Sequence, residues 1–321
     1  MRLIMLGTGP FSVPTLHALA GSRHDVVVVV TRPATGRRLE VSPLQRAGEA
    51  LGLAVWSPDT VNSAESQSRL ASVAAELLVV CDYGEILRPE TLAAARLGGI
   101  NLHGSLLPKY RGAAPVQWAI LRGETETGVS VIHMTPGLDA GPILAQRRTS
   151  IDPDEDAAQL ESRLATMGAG LVLQVVDCLE SGLAEPIQQE TSQISKAPRL
   201  KKEQGLIDWS RPAREIQNQV RGLVPWPRAY TFWHSAGAEP VRINIDRVTI
   251  PDSTWEIASA TRHSGVVLEA TSRLVVAAGD GAVEIVQLQP AGKRSMSAAE
   301  FLRGNRITPG EHLGPADDRR S

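Results

Sequence analysis

The sequence of 321 residues is poor in cysteine, close to charge balance and without a long apolar run. Its two cysteines, Cys81 and Cys178, exclude a disulfide-stapled scaffold and form no pair at metal-ligand spacing. The formal net charge of -2, from 33 Lys and Arg against 35 Asp and Glu, excludes the whole-chain electrostatics of a histone-like binder. The longest aliphatic run, Val26 to Val30, is far shorter than the roughly 20 residues that span a bilayer. We therefore expect a cytoplasmic protein of about two domains with no leader peptide and no membrane segment.

Short apolar runs alternate with helical patterns in the first half of the chain, which is typical of a parallel sheet with helices on both faces. The predicted strands are near-continuous in apolar residues, as expected for strands covered on both faces: Leu3–Leu6, Val26–Thr31, Leu77–Val80, Gly99–Leu102 and Val129–Met134. The predicted helices are Val13–Ala20, Glu65–Ala75 and Ala157–Glu180. These elements predict an α/β domain over residues 1–185, with a doubly wound, Rossmann-like parallel sheet.

A polar, proline-containing segment then predicts a surface linker over residues 186–206. Beyond it, short β-type runs are separated by Gly, Asp and Ser turns and predict a small OB-like β-barrel over residues 207–310. Its predicted strands are Val241–Ile245, Gly265–Ala270, Leu274–Ala278 and Val283–Leu288. Ser297 and Glu300 form a capping box that predicts a short helix, and residues 311–321 are expected to be a frayed tail.

The first glycine turn lies where a dinucleotide fingerprint would sit, but it departs from that pattern. Gly7 and Gly9 match the first two glycines of G-x-G-x-x-G, whereas Ser12 replaces the third. The next strand leads into Thr31 and Arg32 rather than into an acidic residue. The turn is therefore interpreted either as a plain strand-to-helix corner or as one wall of a pocket for another ligand, not as a dinucleotide site.

Three polar side chains carry the chemistry that the sequence indicates. Asn101 and His103 stand at i and i+2 on one predicted strand, so both point to the same face, and Asp139 lies between Gly137 and Gly141. The chain has no serine in a nucleophile elbow, no cysteine near a base in sequence and too few spaced ligands for zinc. Acyl transfer to an external amine needs only such oxyanion donors and a carboxylate that helps to remove a proton. A purely structural role at a strand end stays open at this point.

The stretch from Gly98 to Leu144 resembles the catalytic segment of the folate-dependent formyltransferases, which has Asn-x-His, then Ser-Leu-Leu-Pro, then an Asp in a Gly-rich loop. The matching segments elsewhere extend this resemblance to nearly the whole chain. They are most similar to the branch of the family that formylates methionyl-initiator tRNA. These segments are Tyr110–Pro115, Gly123–Val129, Ile207–Ser210, Pro225–Pro227 and Leu288–Lys293.

The resemblance implies transfer of the formyl group of 10-formyltetrahydrofolate to the amino group of methionyl-initiator tRNA, which releases tetrahydrofolate. Asn101 and His103 would hold the tetrahedral oxyanion, and Asp139 would orient His103 and assist proton transfer. The resemblance implies that the reaction needs no metal and that the protein is a monomer. Asp82 stands in the pterin-lining segment, where small apolar residues are usual. The residues implied for folate binding are Tyr83, Gly84, Ile86, Leu87, Ser105, Leu106, Leu107 and Pro108.

The loop from Thr31 to Pro43 resembles the loop with which this family probes the acceptor end of tRNA. Its arginines suit phosphate because the guanidinium fork binds two oxygens. Dispersed lysines of the second domain would add a phosphate track, although ordinary solvated charges remain an alternative. The residues predicted to bind the tRNA substrate are Phe11, Arg32, Arg37, Arg38, Lys201, Lys202 and Lys293.

Three other functions compete with this prediction. A formyltransferase acting on an amino-sugar nucleotide would share the chemistry of the first domain. A 10-formyltetrahydrofolate hydrolase would use the same side chains with water as the acceptor. A non-catalytic nucleic-acid-binding protein would rely on the barrel alone, and the set of Asn101, His103 and Asp139 argues against it.

Overall fold

The computed structural model describes residues 1–34, 40–235, 239–251 and 264–317. The chain folds into two compact units. The first comprises Met1–Val116, Thr125–Ile151 and Gln159–Arg199. The second comprises Gln117–Glu124, Asp152–Ala158 and Leu200–Ser321. Two short stretches predicted for the first domain, 117–124 and 152–158, therefore group with the second unit.

The described part of the first unit is built on a seven-stranded sheet with the order β3-β2-β1-β4-β5-β6-β7. Its strands are β1 (Arg2–Gly7), β2 (Asp25–Val30), β3 (Val55–Trp56), β4 (Leu77–Cys81), β5 (Gly99–His103), β6 (Glu126–His133) and β7 (Ile143–Ser150). The pairs among β1 to β5 are parallel, as predicted, because helical crossovers connect these strands. β6 runs antiparallel to β5, and β7 runs antiparallel to β6. The sheet is thus mostly parallel with an antiparallel edge.

The described helices are divided between the two units, and the last two lie in the second unit. They are α1 (Val13–Ala20), α2 (Pro43–Ala50), α3 (Ala64–Ser72), α4 (Pro89–Leu92), α5 (Pro115–Leu121), α6 (Ala157–Glu180), α7 (Ala213–Gly222) and α8 (Ala298–Gly304). Serine caps start two of them: Ser42 accepts from Gln45 N at the start of α2, and Ser63 accepts from Ser66 N at the start of α3. Each cap pairs a backbone donor that the first turn would otherwise leave without a partner.

By length and composition alone, helix α6 could cross a membrane. Its apolar stripe, however, is turned inward. Leu160, Leu164 and Val172 are fully buried, and a Cβ added at Gly168 would lie only 2.6 Å from Leu102 Cδ2 of β5. Helix and strand therefore pack closely, which is the arrangement of a core helix in a layered α/β fold.

The second unit contains an antiparallel sheet with the order β10-β11-β12-β9-β8-β14, and β13 pairs with β12. Its strands are β8 (Ala229–His234), β9 (Val241–Thr249), β10 (Val267–Ala270), β11 (Leu274–Ala277), β12 (Ala282–Pro290), β13 (Met296–Ser297) and β14 (His312–Gly314). A bridge between Val266 and His312 joins the two ends of this order, so the sheet closes on itself. The predicted fold class, a Rossmann-like domain followed by a β-barrel, is confirmed.

The prediction of a frayed tail over residues 311–321 is wrong for the segment that forms β14. Leu313 is 1% exposed, and its N–H donates to the carbonyl of Gly265 at 2.8 Å. Trp233 Nε1 also donates to Glu311 Oε2 at 2.9 Å. β14 thereby supplies the edge partner of β8, which would otherwise present unpaired backbone groups.

The predicted linker also differs from a segment that only crosses the surface. Ile187 exchanges two backbone hydrogen bonds with Ile143, and Lys196 bridges Arg111. Residues 187–197 therefore run along the first unit as part of its structure. The second unit begins at Leu200.

Candidate active site

Strand β5 carries two of the predicted catalytic residues into the first unit. Asn101 and His103 are two positions apart and share a face of the sheet. His103 is 6% exposed, and Asn101 is half-buried. Both flanking strands pair with β5, so its backbone is fixed on both sides.

Asp139 reaches the same face from the loop between β6 and β7. This loop starts beside Gly99, since Met134 N donates to the carbonyl of Gly99 at 2.8 Å. It then returns over the face of β5. Asp139 Oδ1 lies 3.5 Å from Asn101 Nδ2, and Asp139 Oδ2 lies 3.7 Å from His103 Nδ1. The structure therefore brings the three predicted catalytic side chains together.

Neighbouring backbone groups orient two of these side chains. Gly112 N donates to Asp139 Oδ2 at 2.9 Å. His103 Nε2 lies 2.9 Å from the carbonyl oxygen of Tyr110, and because a carbonyl only accepts, this nitrogen carries a proton. The other ring nitrogen, Nδ1, faces Asp139 across a gap too long for a direct hydrogen bond. An amide donor, an imidazole nitrogen and a carboxylate thus face one small region, which is what stabilisation of an oxyanion and movement of a proton require.

The loop that follows β5 is fixed by the segment predicted as a linker. Tyr110 N donates to Ser195 Oγ at 2.9 Å, and Arg111 N donates to Ser195 O at 2.9 Å. Sequence reasoning missed Ser195 and also Gln189, which contacts the Asp139 loop. Arg111 and Gly112 lie inside the segment Tyr110–Pro115, which resembles the formyltransferases, but no sequence pattern links Ser195 or Gln189 to that segment.

The residues predicted to bind folate within segment 83–87 are divided between the core and the surface. Tyr83 and Leu87 are 2% and 1% exposed and belong to the core cluster beneath the sheet. Desolvation is the main cause that raises the pKa of Tyr83 well above its usual range. Gly84 is exposed with a φ of 81°, and Ile86 is 59% exposed. Only Gly84 and Ile86 therefore present a surface to which a ligand ring could bind.

The predicted folate residues 105–108 also split by face. Ser105 and Leu107 are buried, and the Ser105 hydroxyl donates to the carbonyl of Lys109 at 2.6 Å. Leu106 and Pro108 are half-buried. The side chains of Ser105 and Leu107 thus support the loop, whereas Leu106 and Pro108 are partly accessible.

Asp82 lies against the glycine turn that departs from the dinucleotide pattern. It follows β4 with a positive φ of 50°, and its carboxylate accepts a hydrogen bond from the backbone N–H of Gly9. A Cβ at Gly9 would meet this carboxylate, so a larger residue there would displace the side chain of Asp82. Desolvation first, and Glu161 second, raise the pKa of Asp82 to about 6, although the residue as a whole is exposed. The carboxylate occupies a place at this turn where a nucleotide fold receives phosphate.

The predicted substrate residues of the first unit have different surroundings. Phe11 is 7% exposed, and a Cβ added at Gly104, next to His103, would lie 3.6 Å from its ring. Arg32 Nη1 forms an ion pair with Glu85 Oε2 at 2.7 Å. The carboxylate of Glu85 also accepts from the Asn62 side chain at 2.8 Å, so it anchors the start of the loop after β2. Two further residues of that loop, Arg37 and Arg38, lie outside the described residues.

The predicted basic residues of the second unit are all exposed. Lys201 and Lys202 lie at a 3-10 turn, where Lys201 N donates to Gln204 Oε1 at 2.7 Å. Lys293 lies on the turn after β12, where its carbonyl accepts from Gln289 Nε2 at 2.7 Å. Their backbones are held while their ammonium groups extend toward solvent.

Among the described residues, one group of His, Asp and Glu side chains has ligand atoms within 4.8 Å of one another, namely His24, Asp177 and Glu180. It does not include the candidate catalytic residues. Arg23 pairs with both carboxylates, and the amine of Met1 pairs with Glu180 at 2.9 Å. The charges of this group are therefore balanced by cations of the chain itself.

Comparison with known proteins identifies the family. Residues 1–176 match the model of the formyl transferase family, and residues 199–306 match that of the formyl transferase C-terminal domain. The chain belongs to the formyl transferase family. The prediction of a formyltransferase, a one-carbon group transferase, is thereby confirmed at the level of the family.

Two relatives that align over nearly their full length bear the same name. It is 44% identical to the methionyl-tRNA formyltransferase of Rhodopirellula baltica, in an alignment that covers 98% of this chain and 96% of the relative. It is 42% identical to the methionyl-tRNA formyltransferase of Solibacter usitatus, over 98% of this chain and 99% of the relative.

Solved structures support the fold at lower identity. A sugar 3N-formyl transferase, WlaRD, solved with dTDP and 5-N-formyl-THF, has a TM-score of 0.66 and 16% identity and is aligned over 92% of this chain and 99% of its own. An N-formyltransferase from Helicobacter canadensis, solved with folinic acid and dTDP-3-aminofucose, has a TM-score of 0.66 and 17% identity, over 89% and 98% of the two chains.

Proposed function

We propose that the chain transfers the formyl group of 10-formyltetrahydrofolate to the amino group of methionyl-initiator tRNA and produces formyl-methionyl-tRNA for translation initiation. The observation that carries this proposal is the convergence of Asn101, His103 and Asp139 on one face of β5. The full-length relatives named methionyl-tRNA formyltransferase support the choice of acceptor.

The reaction forms a bond between the amine nitrogen and the formyl carbon, breaks the bond from that carbon to the folate nitrogen, and moves one proton from the amine to the folate nitrogen. Asn101 Nδ2 donates to the oxygen that becomes negative when the amine attacks. His103 presents Nδ1 to the same oxygen, since Nε2 already donates to Tyr110, and a proton on Nδ1 would let the ring donate to that oxygen. Asp139 lies next to both groups and accepts the proton of the amine.

The folate would bind beside this site without a metal. The exposed side chain of Ile86 and the open backbone at Gly84 offer an apolar and a hydrogen-bonding surface to its ring system. Leu106 and Pro108 are the partly accessible members of the second folate segment. The buried Tyr83, Leu87, Ser105 and Leu107 would shape this surface from below.

We assign catalysis to residues 1–185, the connection to residues 186–206 and tRNA binding to the barrel that starts at residue 207. Arg32, Arg37 and Arg38 in the first unit, and the exposed lysines in the second, supply positive charge for tRNA phosphates. Phe11 would line the substrate side of the site from beneath Gly104. We further propose that the enzyme acts as a monomer in the cytoplasm.

One assay tests the proposal against its rivals. The purified protein is incubated with 10-formyltetrahydrofolate and, in separate reactions, methionyl-initiator tRNA, uncharged initiator tRNA, an amino-sugar nucleotide or buffer alone. Tetrahydrofolate release and formylation of the acceptor are measured in each. We expect both products only with methionyl-initiator tRNA. Formylation of the sugar nucleotide, or tetrahydrofolate release in buffer at the same rate, would replace the proposal by a sugar formyltransferase or a hydrolase.

A further inference from the structure

One amide side chain holds the loop that carries Asp139. Gln189 Nε2 donates to the carbonyl of Asp139 at 2.8 Å and to the carbonyl of Gly141 at 2.7 Å. Gln189 Oε1 accepts from Nε and Nη2 of Arg111 at 3.1 and 2.6 Å. Both polar atoms of this amide are therefore engaged, and they join two loops of the first unit.

These contacts form a closed ring around the carboxylate. Arg111 precedes Gly112, whose N–H donates to Asp139 Oδ2, so Asp139 is held at its backbone by Gln189 and at its side chain by the neighbour of Arg111. The orientation of the amide is fixed by its partners. A reversed amide would place its NH2 group against the guanidinium and its oxygen against two carbonyl oxygens.

The conformation of Asp139 shows why such a restraint matters. Its φ is 49°, a backbone conformation that residues with a Cβ rarely adopt unless their surroundings support it. Its carboxylate oxygens stand 3.5 and 3.7 Å from Asn101 and His103. A displacement of about 1 Å would separate these groups, and errors of that size can lower a rate about 100-fold.

We propose that Gln189 is a positioning residue that fixes the loop between β6 and β7 and so aims Asp139 at Asn101 and His103. The proposal rests on the formyl transfer proposed above. It gives the segment predicted as a linker a role in the chemistry, because Gln189 reaches the site from within that segment.

Two substitutions distinguish the donor role of the Gln189 side chain from its acceptor role. Gln189→Met keeps the length of the side chain and removes all four hydrogen bonds. Gln189→Glu keeps an acceptor for Arg111 but sets a second oxygen against the carbonyls of Asp139 and Gly141. Gln193→Ala is the matched control, because Gln193 lies in the same segment, is exposed, and its side chain donates to Glu190 at 2.7 Å rather than to the Asp139 loop.

We expect kcat for formylation of methionyl-tRNA to fall about 10- to 100-fold in both Gln189 variants, with each KM within about twofold of the unchanged protein. Gln193→Ala should have the unchanged rate. A Gln189→Glu variant that works at the unchanged rate would limit Gln189 to holding Arg111 and would overturn the proposal. A rise in KM with kcat unchanged would overturn it as well, since the residue would then act in binding.

Hydrogen–deuterium exchange gives a readout that does not depend on turnover. We expect backbone amides in residues 135–141 to exchange at least about 10-fold faster in both Gln189 variants, with no change in Gln193→Ala. If the unchanged protein formylates no tRNA, the proposed function fails, yet this exchange still reports on the loop. Unchanged exchange in both variants would overturn the positioning role whatever the activity.

Discussion

In the first unit the carboxylate of Asp139 is held in place by its neighbours. In the second unit the residues predicted to contact tRNA have exposed side chains. Around Asp139, a backbone N–H, an amide side chain and two strands hold each participating atom. Lys201, Lys202 and Lys293 instead have anchored backbones and exposed side chains. Chemistry at a single carbon demands fixed geometry, because the benefit of orientation is lost within about 1 Å. Attraction to a polyanion acts over about 10 Å and tolerates movement.

Removing the fixed charge should have the largest effect. We expect Asp139→Asn to lower kcat about 10²- to 10⁴-fold with the fold intact, because the amide cannot accept the proton of the amine. Steady-state kinetics with methionyl-tRNA and a circular dichroism spectrum check this. Near-normal turnover would remove Asp139 from the mechanism. It would also contradict the contrast between a fixed catalytic group in the first unit and exposed charges in the second.

The barrel of the second unit depends on β14, which pairs with β8 and closes the sheet. Leu313→Ala should lower the free energy of unfolding by about 2–5 kcal/mol, because this buried side chain closes the sheet beside β8. Urea denaturation of the full chain measures it. Leu183→Ala, at a side chain that is 73% exposed, is the control and should change stability by less than about 0.5 kcal/mol. Equal values for both variants would show that β14 does not secure the barrel.

Removing the exposed charges should have a smaller and salt-dependent effect. We expect replacement of Lys201, Lys202 and Lys293 by Ala to weaken tRNA binding and to reduce the slope of log affinity against log salt by up to about three. The matched control replaces the same residues by Arg and should keep the slope. Binding isotherms at several salt concentrations decide this. An unchanged slope in the alanine variant would mean that these residues face solvent in the complex.

The smallest effect concerns stability and pH at Asp82. Its folded pKa, raised to about 6 from an ordinary value near 4, means that the folded state binds this proton more tightly than the unfolded chain does. The charged carboxylate therefore opposes folding above pH 6, and this opposition fades as the pH falls toward 4. We expect Asp82→Asn to raise Tm at pH 8 and to change it less at pH 5.

Thermal unfolding at both pH values measures the difference. A Tm gain for Asp82→Asn that is equal at pH 8 and pH 5 would contradict the assignment.

Burial explains which strands the sequence revealed. All five residues of β4 and all but one of β2's six are buried or half-buried, so continuous apolar runs marked them. β7 was missed because its exposed stretch from Gln146 to Arg148 interrupts any such run. β14 was missed because three residues carry no period, and only closure of the barrel makes them a strand.

The reacting groups of the candidate site could be predicted from the sequence, but the residues that hold them in place could not. Asn101, His103 and Asp139 stand in a motif with fixed spacing, and the structure brings them together. Ser105 and Leu107 belong to the same motif, yet sequence letters do not reveal that their side chains point into the protein. Gln189 lies in a polar segment without periodicity, and its contact with Asp139 arises only when the chain returns 50 residues later.

The carboxylate of Asp82 places a negative charge at the glycine turn after β1. Because the Gly9 amide is engaged by a carboxylate of the same chain, a dinucleotide arriving from the cell would meet negative charge where it needs donors. A nucleotide phosphate at this corner would therefore have to compete with a side chain of the protein itself.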